Sequence, residues 1–372
     1  MQNALLVNGE SKSYRNITVI KTGDATGQSD QSGGYDWTGT NAAILAKGGA
    51  KLIISGAAIN SDAVGGNAVF SYGGNNSPNS NNRGDGTTIT ISDSTIVTSK
   101  NNSGGIMTTG GGVMNASNLT ITTAGGSSAA IRSDSGGGTV TVNGGTYTTN
   151  GHGSPAIYST ADIDVFDATL TSNVSQVVVI EGGNSVELTD STLNANHNRF
   201  NGNDSTYQAV LIYQSFSGDA SNGSSSFKMT DGSLTNVQGD IFCVTNTTTT
   251  ITLSGADIHN SDASGNFLRA EGQKWGNSGS NGGKVTLNAD GQTINGDMLI
   301  ASDSTLALNM TNSSVFNGAI NPSGQAGSVS VTLDSTSKWT LTGNSYITAL
   351  TNSGGTIDKG TYTLYVNGVA QE

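Results

Sequence analysis

The sequence predicts an all-β protein, a right-handed parallel β-helix of about twelve coils with about 23 residues per coil and capped ends. Three observations predict it. A short phrase (apolar-x-apolar, turn, apolar) recurs along the whole chain at a nearly constant step. Its apolar residues alternate with Thr, Ser and Asn, the pattern of a half-buried strand, and no helical period of 3.6 residues replaces it. Gly, Asn or Asp stands wherever the phrase must turn, and these residues accept the positive φ that tight corners need.

Taken in order, the opening segment through YRNITVIKTGDATG is irregular, so residues 1–40 are expected to supply an N-terminal cap and the first coil. Residues 41–333 carry the repeat. It reads Leu52-x-Ile54 then Ile59, Ile89-x-Ile91 then Ile96, Val140-x-Val142 then Tyr147, and Ile163-x-Val165 then Leu170. It continues as Val186-x-Leu188 then Leu193, Phe227-x-Met229 then Leu234, and Ile251-x-Leu253 then Ile258. Looser copies lie near Met114/Leu119, Val285/Leu287, Leu308/Met310 and Leu333/Trp339. The step from Tyr147 to Leu170 to Leu193 is 23 residues twice, the spacing of a solenoid. Each unit also carries a later strand, as in NAVFS (67–71), PAIYS (155–159), AVLIY (209–213) and NFLRA (266–270). Residues 334–372 lose the period, add Trp339, Tyr346, Tyr362 and Tyr365, and are expected to form the C-terminal cap of a single domain spanning 1–372.

Composition narrows the partners. A net charge of −12 without any Arg/Lys cluster argues against nucleic acid. No apolar run approaches the roughly 18–20 residues of a membrane helix. The single cysteine, Cys243 in DIFCVTN, permits no disulfide and no cysteine-based zinc site, and is expected to be a small buried hydrophobe. The start, MQNALLVNGESKSY, has no signal-peptide architecture. Low charge and Thr/Asn/Gly richness nevertheless suit a secreted or surface-attached bacterial protein.

Insertions break the period at 72–86, 213–225 and 271–283, each after the late strand, and at 196–208 just before it. Loops clustered on one side of a solenoid commonly form its binding surface. Aligned on its buried apolar residue, the late strand places Leu45, Phe70, Met107, Arg132, Tyr158, Glu181, Tyr213, Val244, Arg269 and Ile300 in one column. Apolar coils thus flank a solvent-facing strip of Arg132, Tyr158, Glu181, Tyr213 and Arg269, with Asp134 and Glu271 two residues on and Tyr72 and Trp275 in the bordering loops. Tyrosine faces stack on sugar rings, while carboxylates and guanidinium groups meet hydroxyls or uronic acids. The same residues would equally serve a ladder of cross-coil ion pairs.

Catalysis would need convergent carboxylates, and Asp134, Glu181 and Glu271 fall on different coils. Asp93, Asp167, Asp190 and Asp231 occupy a corner that other coils fill with Gly56, Gly144 and Gly255, which Asx turns explain. His152, His197 and His259 have no metal-ligand spacing, and no cofactor motif is present; the loop SGDASNGS (217–224) lacks a terminal acidic calcium ligand. Thr-x-Thr pairs such as Thr146/Thr148 would suit an ice-binding array, but Asp164, Glu187 and Lys228 interrupt the first strand's outward row.

The stretch SGGIMTTGGGVMNASNLTITTAGGSSAAIRSDSGGGTVTVNGGTYTTNGHGSPAIYSTADI (103–163) resembles secreted, adhesin-like right-handed β-helix proteins of anaerobic, often gut, bacteria. YDWTGTNAAILAKGGA (35–50), NFLRAEGQKWGNSGSNGG (266–283) and LDSTSKWTLTGNSYITAL (333–350) extend the resemblance, the last being similar to the ends of autotransporter passenger domains. The resemblance implies a β-helix at a cell surface, and the polar strip with the loops bordering it points to a polysaccharide, host glycan or surface protein as partner. A non-catalytic binding module is therefore expected; a polysaccharide-cleaving enzyme and a passive stalk are the alternatives.

Overall fold

In a computed structural model the chain is described except for residues 30–32, 78–80, 202–203, 216 and 325. It is a right-handed parallel β-helix with three strands per coil, built on ladders that run the length of the rod. The first ladder starts at Ser11–Arg15 and continues through Lys51–Ser55 and Thr88–Ser92 as far as Ala349–Asn352. The second starts at Thr18–Thr22 and passes through Ala58–Asp62 and Thr95–Thr98. In two coils these strands are one, Gly112–Thr123 and Gly138–Thr149, which bend around the corner and join the ladders. The late strands form the third face, an eleven-stranded sheet from Leu5–Asn8 to Met298–Ile300.

Corner chemistry explains why the coil can repeat. Asp93, Asp167, Asp190 and Asp231 have φ of 49–54° at the corner after the first strand, and Gly56, Gly144 and Gly255 have φ of 64–68° at the same place in their coils. A left-handed residue there costs a branched side chain dearly but suits Asp, Asn or Gly. Asn118 shares the corner, and its amide donates to Asp93 Oδ1 at 3.3 Å, so the polar caps stack as the core does. The core is one continuous cluster from Val7 to Leu364, with Phe242 packed edge-on against Phe227 and Phe267 at 5.3 and 5.6 Å.

The ends are strands rather than irregular plugs. Residues 5–22 form a complete first coil. Beyond residue 334, Lys338–Thr340, Ala349–Asn352 and Thr356–Asp358 continue the parallel ladders. Closure falls to Ser345–Ile347, Leu364–Val366 and Val369–Ala370, whose last pairing is antiparallel, with Tyr346 stacked on Tyr365 at 4.5 Å. The second ladder carries the regular outward rows that the first lacks: Thr95, Thr120, Thr146, Thr169 and Thr192 align, as do Thr122, Thr148 and Thr171. The branched Cβ of Thr favours such solvent-facing strand positions.

The third face differs from the other two because it is covered on both sides. Every residue of Gln208–Tyr213 and Asp240–Thr245 is buried, the near-continuous apolar character of a strand without a wet face. Loops lie over its outer side and make two satellite clusters. Ala42, Leu45, Phe70 and Met107 pack with Tyr72 near the N-terminal end, and Val179, Leu211, Tyr213 and Cys243 pack with Tyr158 and Trp275 nearer the other. Between the clusters the outward residues turn polar.

The observed register corrects the column read from the sequence. Arg132 pairs with Tyr158, then the row continues through Val179, Leu211, Cys243 and Arg269 to Leu299. Glu181 and Tyr213 pair with each other and with Thr245, one row over. A two-residue slip keeps inward residues inward, so runs such as VVVIE and AVLIY satisfy alternation in either register. The strip is also not open to solvent: Arg132 is 9% exposed, Tyr213 7%, Asp134 4% and Glu181 1%, because the loops fold over them.

Candidate ligand-binding cleft

The gap between the two outer clusters is a cleft of about 320 Å³, at the lower end of the size range of small-molecule sites. Its floor is the third face, which contributes Arg132, Asp134 and Tyr158. One wall comes from the N-terminal segment. There the short helix Tyr35–Thr38 brings in Asp36, which is 2% exposed. This helix is pinned by Thr109, whose hydroxyl donates to the Trp37 carbonyl at 2.7 Å. It ends at Gly39 (φ 68°), where a Cβ would come within 2.7 Å of Leu45. The opposite wall comes from the insertions, with Asn201, Tyr213 and Asp219; Ser29, Asn102, Ser127, Ala129, Gly153 and Pro155 complete the lining.

Arg132 is the hub. Its Nη2 lies 3.1 Å from Asp134 Oδ2 and 3.4 Å from Asp36 Oδ2, while its Nη1 donates to the Ser127 carbonyl at 3.4 Å. Burial opposes the charge on the guanidinium, but the two carboxylates outweigh it and keep Arg132 firmly protonated. Asp36 Oδ1 also accepts from the Asn67 amide at 3.1 Å, and Asp134 Oδ1 from the Ser135 N–H at 2.9 Å.

Asp134 behaves differently from its partner. Burial pushes its carboxyl from 3.8 up to about 8; Arg132 pulls it down, while Asp219 and Asp36 push it further up. Between those pH values the folded chain holds a proton that the unfolded chain has released. Stability at this site therefore falls as pH rises from about 4 to about 8. The expected result is that the urea midpoint of the wild type drops relative to Asp134→Asn across that window; parallel pH profiles would refute the assignment.

Beside the cleft sits a carboxylate of another kind. Glu181 accepts from the Tyr158 hydroxyl at 2.5 Å, the Tyr213 hydroxyl at 2.7 Å, the Ser217 hydroxyl at 3.2 Å, and the Ser215 hydroxyl. Burial first and the Glu181 charge second hold both tyrosines well above the usual phenol range, so they remain hydrogen-bond donors. The two rings are thereby fixed in place, and Trp275 packs against Tyr213 at 5.2 Å. A smaller recess of about 60 Å³, lined by Pro155, Val179, Leu211, both tyrosines and Trp275 together with the polar Gln176, Asn201 and Asp204, opens next to the cleft. In its wall, Asp204 lies 3.4 Å from buried His197 and accepts from the Gln176 amide at 2.8 Å, tying insertion 196–208 to the third face.

The structure thus brings together Arg132, Asp134, Tyr158, Glu181, Tyr213 and Trp275 from the residues singled out in the sequence. It separates the others. Arg269 lies five rungs from Arg132, about 24 Å along the rod. It is bound there to buried Asp240 at 2.5 Å and to Glu271 at 3.5 Å, an ion-pair cluster that also holds Asn266. Tyr72 packs on the N-terminal cluster. The geometry also changes the role given to Arg132: with two carboxylates already on it, its charge is spent within the protein rather than offered to a uronic acid.

Sequence reasoning missed Asp36, Asp219, Asn102, Asn201, Ser215 and Ser217. Asp36 stands in a segment read as a cap, and no local pattern ties it to a strand nearly a hundred residues later. Asp219, Ser215 and Ser217 sit in the insertion 213–225, whose position was legible but whose fold over the third face was not; residue 216 lies outside the described residues. The same holds for 78–80 within insertion 72–86 and 202–203 within insertion 196–208.

A depression of about 260 Å³ at Gln214, Asn222, Asn246, Ser280 and Lys284 offers neither a carboxylate nor a ring. One of about 590 Å³ at Lys21 and Asp24 and one of about 360 Å³ at Glu271 and Asp303 offer carboxylates without a ring, so the cleft at Arg132 is the candidate site because it joins carboxylates to aromatic rings. No described helix is long and apolar enough to cross a membrane. Searched against protein-family models, curated proteins and solved structures, the chain matches none of them.

Proposed function

We propose that the chain is an extracellular, adhesin-like β-helix that binds carbohydrate at the cleft on its third face, without catalysis. One observation carries this reading. Carboxylate and amide groups suited to sugar hydroxyls (Asp36, Asp134, Asp219, Asn102 and Asn201) line a single small cleft with the locked rings of Tyr158 and Tyr213. Hydroxyl-rich ligands need that combination of acceptors at the ring edge and an aromatic surface at the ring face. The insertions that wall the cleft fit the general use of solenoid loops as binding surfaces.

A second reading has an observation of its own. Asp134 stays protonated near neutrality within a cleft that also presents Asp36 and Asp219, and a raised acid near an ionised carboxylate is the arrangement of glycoside hydrolysis. Asp134 would then protonate the leaving oxygen while a neighbouring carboxylate activates water or attacks the sugar. Glu181 and Glu271 drop out of that role, the first committed to four hydroxyls and the second to Arg269.

Affinity electrophoresis through gels cast with xylan, pectin, cellulose derivatives and mucin glycans, with product analysis on the same mixtures, separates these readings. Retardation by an intact polymer, lost in Tyr158→Ala, is the expected result. New reducing ends that disappear in Asp134→Asn would establish the hydrolase instead. No retardation and no product on any polymer would leave the chain a spacer and overturn the proposal.

A further inference from the structure

We infer that the cleft selects a ligand carrying a protonated amine on a sugar-like, hydroxyl-rich frame, and rejects uronates and other acidic glycans; this rests on the cleft being a carbohydrate site. The argument is one of charge balance. Of the described ionisable side chains that line the cleft, Arg132 is the cation, Asp36 and Asp219 are the carboxylates set against it, and Asp134, Tyr158 and Tyr213 carry protons near neutrality. Glu181 adds a further carboxylate directly behind the two rings.

The one cation cannot be the recognition element. Arg132 Nη2 already faces two carboxylates within 3.4 Å, and its Nη1 faces a carbonyl. An incoming carboxylate would meet the surplus negative charge of the cleft. An incoming ammonium would meet Asp219 and the field of Asp36, with Asp134 and the tyrosine π-faces beside it. In a half-enclosed site, attraction between opposite charges about 4 Å apart separates charge classes by at least tenfold. The smaller recess, lined by Pro155, Val179, Leu211 and Trp275, also presents Asp204, a further acidic group on the side that favours a cation.

The test is a titration series with three oligomers of equal length: glucosamine with free amines, its N-acetylated form, and galacturonate. Each is titrated at low and at physiological salt. The expected result is at least tenfold tighter binding of the free-amine oligomer than of the acetylated one, a gap that narrows with salt, and no binding of the galacturonate. Asp219 is half-buried in a loop, so Asp219→Asn is expected to fold, and it should shrink the gap severalfold. Equal or tighter binding of the acetylated oligomer overturns this inference while leaving the cleft a sugar site. Tightest binding of the galacturonate overturns it as well. Silence from all three, with Tyr158→Ala indistinguishable from wild type, fails the sugar-site reading and this inference together.

Discussion

Arg132→Ala is expected to destabilise the chain by about 3–5 kcal/mol, the range for breaking a buried ion pair by removing one partner. The guanidinium is the only described cation between Asp36 and Asp134, and both carboxylates are almost fully buried. Removing it leaves buried Asp36 without its cation, beside Asp134 and facing Asp219 across a small cleft, so the site must take up a further proton or draw in water. The wall should loosen before the core does, because the helix Tyr35–Thr38 meets the floor of the cleft through that pair. Urea unfolding followed by circular dichroism measures the loss, and hydrogen exchange at residues 33–39 locates it. A loss below about 1 kcal/mol would mean that the pair is solvated as a surface salt bridge is, and the account of a buried hub would fail. Arg132→Ala is therefore a poor probe of binding, whereas Tyr158→Ala and Asp219→Asn are cleaner ones.

The second large effect is expected at Glu181. Glu181→Ala takes the acceptor from four hydroxyls, of which Tyr213 and Ser215 are buried, Tyr158 is half-buried and Ser217 is exposed, at a place where the carboxylate itself is 1% exposed. Each buried hydroxyl left without an acceptor costs about 1–3 kcal/mol. Water can enter from the cleft side and satisfy part of the set, so a net loss of about 3–4 kcal/mol is expected rather than the full sum. Glu181→Gln is the sharper variant. It keeps the shape but sets an amide donor against hydroxyl donors, and it removes the charge that helps hold Tyr158 and Tyr213 above the ordinary phenol range. The expected signature is a downward shift in the ultraviolet titration of those two tyrosines, together with weaker ligand binding. An unchanged titration with full binding would show that Glu181 does not position the rings.

Much of this molecule is legible in one dimension. The repeat of Val140-x-Val142 and its copies, the 23-residue step, and the Asp-or-Gly corners at Asp93, Asp167, Asp190 and Gly144 specify three parallel strands per coil. They do so because a solenoid's contacts are short in sequence. Each residue meets its neighbour one coil away, so local alternation and corner chemistry are nearly the whole of the folding problem. The presence of a special region was legible for the same reason: Arg132, Tyr158, Glu181, Tyr213 and Arg269 stand among late strands whose corresponding residues are otherwise apolar.

The composition of the site was not legible in that way. The late strand is apolar on both sides between Val177 and Val244, so alternation could not tell inward from outward and left the register free to slip by two residues. That slip set Glu181 and Tyr213, which do pair with each other, in the row of Arg132, Tyr158 and Arg269, where the structure has Val179 and Leu211. The loops were equally silent, because no periodicity governs where an insertion folds. The sequence by itself therefore determined the coil, its pitch and its corners, all of which rest on contacts between adjacent repeats. Only the tertiary structure decided that Asp36 and Asp219 arrive from opposite sides to close on Arg132. Those contacts span many coils, and burial, rather than any local pattern, holds the charges together.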